Sequence, residues 1–360
     1  MRVVVCTIVH HPQDARIYHR QIRALLDAGH EVMYLAPEFS AERPSPLLHL
    51  TPLPRAAGRH RLGALIAARK QLSRHAADAD LLLLHDPELL LALPFLMPAR
   101  LKRPATVWDV HEDTAAALRT KPWLPRPLRP PVALATRAAE RIAERRLHLI
   151  LAEKGYVTRF RKPHPVVPNT TYVPAEPDPY DGLRRVVYVG HLSPDRGAAE
   201  MAELARLLRD HGITVELIGP ADARARALIE ASPIRWRGFV PNDEAMRLTG
   251  GALAGLSLLQ DEPNFRHSLP TKVVEYMAHG VPVVTTPLPA AADLAERHHC
   301  GFVVPFRDPR AAADVILKLD ADPALRAELG RRGHAAARES LGWPADAKAF
   351  VAQLEEWACA

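Results

Sequence analysis

Short runs of apolar residues, many of them β-branched, alternate along this chain with longer segments in which apolar residues recur at helical spacing. This alternation is typical of parallel α/β sheets, in which a helix crosses back over the sheet after each strand. In the first half, the apolar runs predict strands at Arg2–Val9, Glu31–Ala36, Leu47–Leu50, Asp80–Leu84, Ala105–Val110 and Leu147–Ala152. The helical periods predict helices near Ala15–Ala28, Leu62–Ala76 and Pro131–Arg146.

The alternation stops in the proline-rich segment Pro163–Leu183, which has no helical period and indicates a linker. It then restarts, with helices predicted at Arg196–His211 and Ala221–Ala231 and strands at Arg185–Val189, Thr214–Ile218, Ile234–Arg237, Ala254–Leu258, Pro282–Thr285 and Gly301–Val304. We predict an N-terminal domain over residues 1–170, a linker over 171–183 and a second domain over 184–342. The last helix, within 343–360, either packs on the second domain or crosses back to the first.

Each half is predicted to be a right-handed, doubly wound, Rossmann-like parallel sheet. Composition agrees with this, because 48% hydrophobic and 24% charged residues are usual for a globular protein and exclude a mainly disordered chain. The start of the chain is interpreted as a strand and not as a secretory signal. No apolar stretch reaches the ~18–20 residues of a membrane span.

Charge and cysteine content narrow the partners only slightly. The net charge of +6 and a pI of about 9.4 fit an anionic partner such as a nucleotide or a membrane surface. A nucleic-acid partner is not expected, since aromatic residues make up 6% and no basic-aromatic motif occurs. The scattered cysteines show no metal-binding or redox spacing and suit a reducing cytoplasm.

In parallel sheets, ligands bind beyond the carboxyl ends of the strands, so the residues after each strand are the candidates. His10 and Asp14 follow the first predicted strand, where no G-x-G-x-x-G motif occurs. Asp14 caps the next helix, binds a ligand, or does both. His85 and His111 follow two further strands, and their equivalent positions favour a function for His111 over a purely structural role.

In the second half, Gly190 and His191 end a predicted strand, and Arg196 lies at the start of the next helix. Glycine lets a ligand approach the backbone, and the helix start offers free N–H groups to an anion. A cation at a helix N-terminus is unfavourable without an anion nearby, so Arg196 is predicted to bind phosphate oxygens.

The segment from Arg266 to Val284 holds the densest set of candidates. Ser268 or Thr271 is predicted to cap a helix that ends at Gly280. Lys272 and Glu275 are three residues apart on that helix. They form either a surface ion pair or a site in which the helix start faces an anion and Glu275 accepts hydrogen bonds from ribose hydroxyls.

Together these segments resemble the retaining sugar-nucleotide glycosyltransferases of the GT-B fold, family 4 or group 1. The strongest likeness is the run Ser268-Leu269-Pro270-Thr271-Lys272 continuing through Glu275-Tyr276-Met277-Ala278 and Gly280-Val281-Pro282-Val283-Val284. Further similar blocks are Tyr188-Val189-Gly190 with Ser193 and Arg196-Gly197, His85-Asp86-Pro87-Glu88-Leu89-Leu90, Asp109-Val110-His111-Glu112-Asp113, and Pro168-Asn169.

The resemblance implies two Rossmann-like domains facing a central cleft, with the nucleotide sugar bound by the second. It implies that Glu275 binds the ribose, that Arg196 contacts the diphosphate and that His111 meets the donor sugar. Gly190, His191, Lys272, His267, Ser268 and Leu269 belong to the same implied donor site, and His10, Asp14 and His85 to the acceptor side.

Two positions depart from the family pattern. His191 stands where many members have Arg, and His267 stands where many have a second Glu. Lys272 is the candidate to supply part of the missing positive charge.

The expected activity is transfer of a sugar, with retention, from a nucleoside diphosphate sugar to a glycan, lipid-linked or small-molecule acceptor. No metal and no further cofactor are expected, because the sequences Asp78-Ala79-Asp80 and Asp320-Ala321-Asp322 are not placed like metal sites. The alternatives are a nucleotide-sugar epimerase and a non-catalytic peripheral membrane protein. The basic helix near Arg137–Arg146 is the candidate membrane contact, which extends the expected location from the cytoplasm to the inner face of the cell membrane.

Overall fold

The computed structural model describes residues 1–37, 45–91, 104–119 and 124–360. The chain forms two units, which we call unit 1 (Met1–Pro168 with Pro344–Ala360) and unit 2 (Asn169–Trp343). Each unit contains a six-stranded parallel sheet.

The sheet of unit 1 has the strand order β3-β2-β1-β4-β5-β6, and every neighbouring pair is parallel. Its strands are β1 (Arg2–Cys6), β2 (Glu31–Pro37), β3 (Leu48–Leu53), β4 (Leu81–Leu84), β5 (Ala105–Val110) and β6 (His148–Leu151). A π-helical stretch, Ile17–Ile22, continues into α1 (Arg23–Asp27), and α2 (Arg61–His75), α3 (Thr114–Leu118) and α4 (Arg129–Arg146) follow. The central strand β4 is buried at every residue, as expected for a parallel strand covered on both faces.

The sheet of unit 2 has the order β12-β11-β10-β7-β8-β9, so both sheets reverse their strand order between the first and fourth strands of the unit. The strands are β7 (Arg185–Val189), β8 (Thr214–Ile218), β9 (Arg235–Trp236), β10 (Ala254–Ser257), β11 (Val283–Thr285) and β12 (Gly301–Val303). The helices are α5 (Ala198–Arg209), α6 (Ala223–Glu230), α7 (Asn242–Thr249), α8 (Thr271–Ala278), α9 (Pro289–Arg297), α10 (Pro309–Ala321) and α11 (Pro323–Ser340).

The last helix, α12 (Trp343–Cys359), belongs to unit 1 from Pro344 onward, so of the two placements open from sequence the structure has the crossing back. The rings of Trp357 and His148 stack with centroids 4.6 Å apart, and Phe350 and Leu354 are fully buried. Apolar burial along one side of α12 accounts for this placement.

The predicted strands are all present, and β5, β7 and β8 agree with prediction at both ends. The first strand ends at Cys6 and not at Val9, because the Asp86 carboxylate accepts hydrogen bonds from the N–H groups of Ile8 and Val9. The predicted helix at Arg196 begins at Ala198, because Gly197 has the left-handed φ of +87°. None of the described helices is long and apolar enough to cross a membrane.

Helix α8 packs unusually close to the sheet of unit 2. A Cβ atom at Gly255 of β10 would lie 2.2 Å from the ring of Tyr276. The Tyr276 hydroxyl accepts a hydrogen bond from Val189 N–H (3.1 Å) and donates one to the Leu256 carbonyl (3.1 Å). This hydroxyl therefore ties α8 to β7 and β10, where the strand order reverses.

We expect Gly255→Ala to lower the free energy of unfolding of unit 2 by about 1–3 kcal/mol, because the new methyl group must displace the Tyr276 ring. The matched control is Gly63→Ala in α2, where a Cβ meets nothing within 4 Å and alanine favours the helix. Chemical denaturation measures both. Equal stability of the two variants would contradict the close packing of α8.

Candidate functional site

Side chains from the ends of three neighbouring strands come together in unit 1. His10 follows β1, Asp86 follows β4, and His111 follows β5, while Asp109 lies within β5 itself. The order β1-β4-β5 makes these strand ends neighbours. Of these residues, His10 and His111 were predicted as site residues from the sequence, and the two aspartates were not. Each aspartate nevertheless lies within two positions of a histidine, in the motifs His85-Asp86 and Asp109-Val110-His111.

Asp86 is buried and organises the loop after β1. It accepts hydrogen bonds from the Thr7 hydroxyl (3.0 Å) and the Val9 N–H (3.1 Å), and its Oδ1 lies 2.7 Å from His10 Nδ1. Burial disfavours the charge on His10, but Asp86 overcomes this and raises the pKa of His10 to about 10. His10 is therefore an imidazolium at neutral pH, paired with a carboxylate.

Asp109 is the second buried carboxylate. Arg16 donates to it from Nε and Nη2, each at 2.7 Å, and Gln21 adds a hydrogen bond of 3.1 Å. Burial alone would raise the pKa of Asp109, but the charge and hydrogen bonds of Arg16 hold it well below its usual value. Arg16 was not among the predicted site residues, and the sequence marks it only weakly, because Arg20 and Arg23 occur in the same stretch.

His111 is held between these two carboxylate groups. Its Nδ1 lies 3.1 Å from the Asp109 carbonyl oxygen, and its Nε2 lies 3.0 Å from His10 Nε2. Because the charged His10 ring donates from both nitrogens, His111 Nε2 accepts and His111 Nδ1 carries the hydrogen. His111 thus lies within the chain of contacts Asp86–His10–His111–Asp109.

His85 is fully buried and lies 3.2 Å from Asp109 through Nδ1. Burial lowers the pKa of His85, which keeps its ring neutral. A cavity of about 20 Å³ is lined by His85 together with His10, Trp108, Asp109 and His111, among others, and this is enough room for one water molecule.

Asp14 accepts hydrogen bonds from the N–H groups of Arg16 (2.8 Å) and Ile17 (3.0 Å) at the start of the π-helical stretch. Asp14 therefore binds backbone N–H groups next to the start of this stretch, whose N-cap residue is Arg16. Its pKa is lowered, because the charge of His10 and these hydrogen bonds outweigh the effect of burial.

His85, Asp109 and His111 place ligand atoms within 4.8 Å of one another, a spacing that suits a metal ion. However, Arg16 already neutralises the Asp109 carboxylate, and the charged His10 lies against His111. A divalent cation would add to two neighbouring positive charges, so the arrangement is that of a charge-balanced network.

In unit 2, the turn after β7 packs closely against the turn after β8. Gly190 has a φ of +115°, and a Cβ on Gly219 would lie 2.3 Å from the Gly190 carbonyl oxygen. The Tyr188 hydroxyl donates to the His191 carbonyl oxygen at 2.7 Å and so supports the turn. The guanidinium of Arg196 lies 5.7 Å from the centre of the Phe265 ring.

Lys272 and Glu275 are both buried, so the interpretation as a surface ion pair is wrong. The Lys272 ammonium lies 4.7 Å from the centre of the Tyr188 ring, behind Gly190. Helix α8 begins directly after Pro270 without a side-chain cap, so the predicted capping by Ser268 or Thr271 is also wrong. Among the residues that the structure describes, no side chain caps the first N–H groups of α8.

The three predicted residues before α8 are less buried. His267 is exposed, and Ser268 and Leu269 are half-buried. Ser268 N–H donates to the Phe265 carbonyl oxygen in a turn.

A segment of unit 2 is similar to a described protein family. Residues 184–322 match the family described as glycosyl transferases group 1, which confirms the predicted resemblance for this segment of unit 2. WcaL of Escherichia coli (strain K12), named for colanic acid biosynthesis, is 29% identical over 38% of this chain and 37% of WcaL. The aligned region thus spans little more than a third of that relative.

Solved structures extend the likeness of fold to nearly the whole chain. Sucrose-phosphate synthase from Thermosynechococcus elongatus has a TM-score of 0.73 and 17% identity, over 99% of this chain and 98% of its own. HepE of Anabaena, in complex with UDP and glucose, has a TM-score of 0.71 and 14% identity, over 99% and 100%. The predicted GT-B fold class is confirmed.

We expect the imidazolium of His10 to make stability depend on pH. Its pKa is raised in the folded protein, so its contribution is complete below pH 6.5 and is lost as the pH rises toward about 10. The free energy of unfolding should fall between these values by up to about 1.4 kcal/mol per pH unit from this group.

Chemical denaturation of wild type and His10→Gln between pH 6 and 10 measures this slope. The variant should show a shallower slope than wild type, and His60→Gln, which replaces an exposed histidine, should show the wild-type slope. Identical slopes for wild type and His10→Gln would contradict the charged state of His10.

Proposed function

We propose that this protein is a glycosyltransferase that moves a sugar from a nucleoside diphosphate sugar to a glycan, lipid-linked or small-molecule acceptor, with retention at the anomeric carbon. The observation that carries the proposal is the convergence of Arg196, Lys272 and an uncapped helix start beside Gly190. This convergence lies within the segment that matches the group 1 family. Such a set of positive groups suits a diphosphate.

In this proposal the leaving diphosphate gains negative charge as the glycosidic bond breaks. Arg196 and the helix N–H groups are positioned to stabilise that charge in the transition state more than in the ground state. Glu275, one turn further along α8, accepts hydrogen bonds from the ribose hydroxyls. The reaction needs no metal in this scheme, because fixed cations fill the electrostatic role.

The network in unit 1 is proposed to serve the sugar and the acceptor. The pairs His10–Asp86 and Arg16–Asp109 hold His111 in one orientation and one tautomer. We assign His111 to the donor sugar and the loop of His10 and Asp14 to the acceptor side. His85, predicted from sequence for the acceptor side, is fully buried and is given no ligand contact. The similarity to WcaL, named for colanic acid biosynthesis, and to HepE, whose structure holds UDP and glucose, favours a glycan acceptor and a UDP-linked donor as the first to be tried.

We expect Arg196→Ala to lower kcat by about 10²–10³, since removing one group that stabilises a developing anion has that effect. A panel of UDP, GDP, dTDP and ADP sugars, screened first by thermal shift, identifies the donor for this assay. The matched control is Arg206→Ala in the adjacent helix α5, where the arginine is exposed and pairs with Glu203.

Near-normal turnover of Arg196→Ala would contradict the assigned role. Product analysis also separates transfer from epimerisation, because an epimerase converts the nucleotide sugar without any acceptor.

A second part of the proposal is contact with an anionic membrane through helix α4. Glu140 and Glu144 point inward and are buried, while Leu134 and Ile142 are 71% and 54% exposed and Arg145 is also exposed. The solvent side of the helix therefore combines apolar and basic residues, which suits anionic lipid headgroups at the inner face of the cell membrane.

Two of the arginines in the predicted basic helix are not fully available to lipid headgroups. Arg137 binds Asp113 and Glu140, and Nη1 of Arg141 is buried. We therefore assign the membrane contact to Arg145 and Arg146 with the two apolar residues and not to Arg137.

We expect the double variant Leu134→Ser and Ile142→Ser to reduce flotation with vesicles of phosphatidylcholine and phosphatidylglycerol by at least about tenfold. The matched control replaces Leu62 and Ile66 by serine, since these are equally exposed residues of α2. Binding that is equal for both double variants, or that persists on phosphatidylcholine alone, would contradict this surface.

A further inference from the structure

The ammonium group of Lys272 is buried next to another cation. Lys272 is 7% exposed, and within the described part of the chain no residue forms an ion pair with it or accepts a hydrogen bond from it. The groups that face it are Arg196 from the turn after β7, the Tyr188 ring from β7 and Glu275 from its own helix. Among the described residues that face the Lys272 ammonium, only the Tyr188 ring and the Glu275 carboxylate compensate positive charge, so the site lacks negative charge.

The position of the Lys272 side chain indicates which ligand would supply the missing negative charge. Its Cε and Nζ atoms lie 3.8 and 3.9 Å from the point where a Cβ of Gly190 would be, so the side chain ends just behind the glycine turn. A phosphate group that approaches the Gly190 backbone would therefore meet Lys272 as well as Arg196. Two cations that repel each other become favourable when a dianion lies between them.

Building on the function proposed above, we propose that Lys272 is an additional contact of the donor diphosphate and that it takes up a proton from solvent in the same step in which the diphosphate binds. The neutral amine of the free protein becomes an ammonium in the complex. The proton returns to solvent when the product nucleotide leaves.

The electrostatics of the free site agree with this coupling. Burial and the charge of Arg196 lower the pKa of Lys272 to about 7, although Glu275 opposes the shift. At pH 8 about nine tenths of the free protein would then have a neutral Lys272. A bound diphosphate raises that pKa again, so affinity should fall with rising pH above 7.

Isothermal titration of UDP and GDP at pH 8, in buffers of different ionisation enthalpy, measures the uptake directly. At this pH the terminal phosphate is already ionised, since its second pKa is about 6. We expect uptake of about 0.9 proton by the wild type and a Kd that rises toward tenfold per pH unit between pH 8 and 9.

Three variants assign the proton to Lys272. Lys272→Arg carries a charge that does not titrate, so uptake at pH 8 and the slope should vanish, whatever its absolute affinity. Lys272→Met should bind more weakly at pH 6.5 and also show no uptake. His211→Gln, which replaces an exposed histidine of unit 2 outside the proposed donor site, should retain the uptake.

The results separate this inference from the function on which it rests. Failure of every nucleotide to bind folded wild type, with folding checked by circular dichroism, would overturn the proposed function itself. Tight binding without proton uptake, or uptake that persists in Lys272→Arg, would overturn the role of Lys272 alone.

Discussion

The close approach of helix α8 to the sheet of unit 2 is the constraint on which the candidate donor site depends. The Tyr276 ring occupies the space beside Gly255, and its hydroxyl joins β7 to β10. Because Lys272 and Glu275 belong to the same helix, this packing also sets their distance from the Gly190 turn. The chemistry of the site therefore follows from a packing contact one turn further along the same face of the helix.

Unit 1 solves a different problem, the burial of two carboxylates. Asp86 and Asp109 remain ionised because each has a cation and several hydrogen bonds, His10 for the first and Arg16 for the second. His111 is held between them by contacts with His10 and with the Asp109 backbone. The two units thus differ: unit 1 balances its buried charges internally, whereas unit 2 buries the Lys272 amine beside Arg196, where an anionic ligand can balance the charge of both groups.

Much of this could be predicted from local sequence. The strands were found because apolar runs and their turn residues are local signals, and the resemblance to group 1 glycosyltransferases followed from short motifs. Some errors arose where a distant group intervenes. Asp86 ends β1 early by binding the N–H groups of Ile8 and Val9. The error at α8 is local, because Pro270 and not a side-chain cap precedes this helix. Burial of Lys272 and Glu275 excludes the surface ion pair.

By itself, the sequence determined the order of elements, the fold class and the candidates His10, His111, Arg196 and Glu275, because these depend on neighbours along the chain. Only the tertiary structure decided which charges meet. Arg16 and Asp109 are 93 positions apart in the sequence. They pair because β1 and β5 are parallel strands of one sheet, separated only by β4, so that their carboxyl ends lie on the same side. Protonation states follow from such contacts, since burial and nearby charge, not residue type alone, set a pKa.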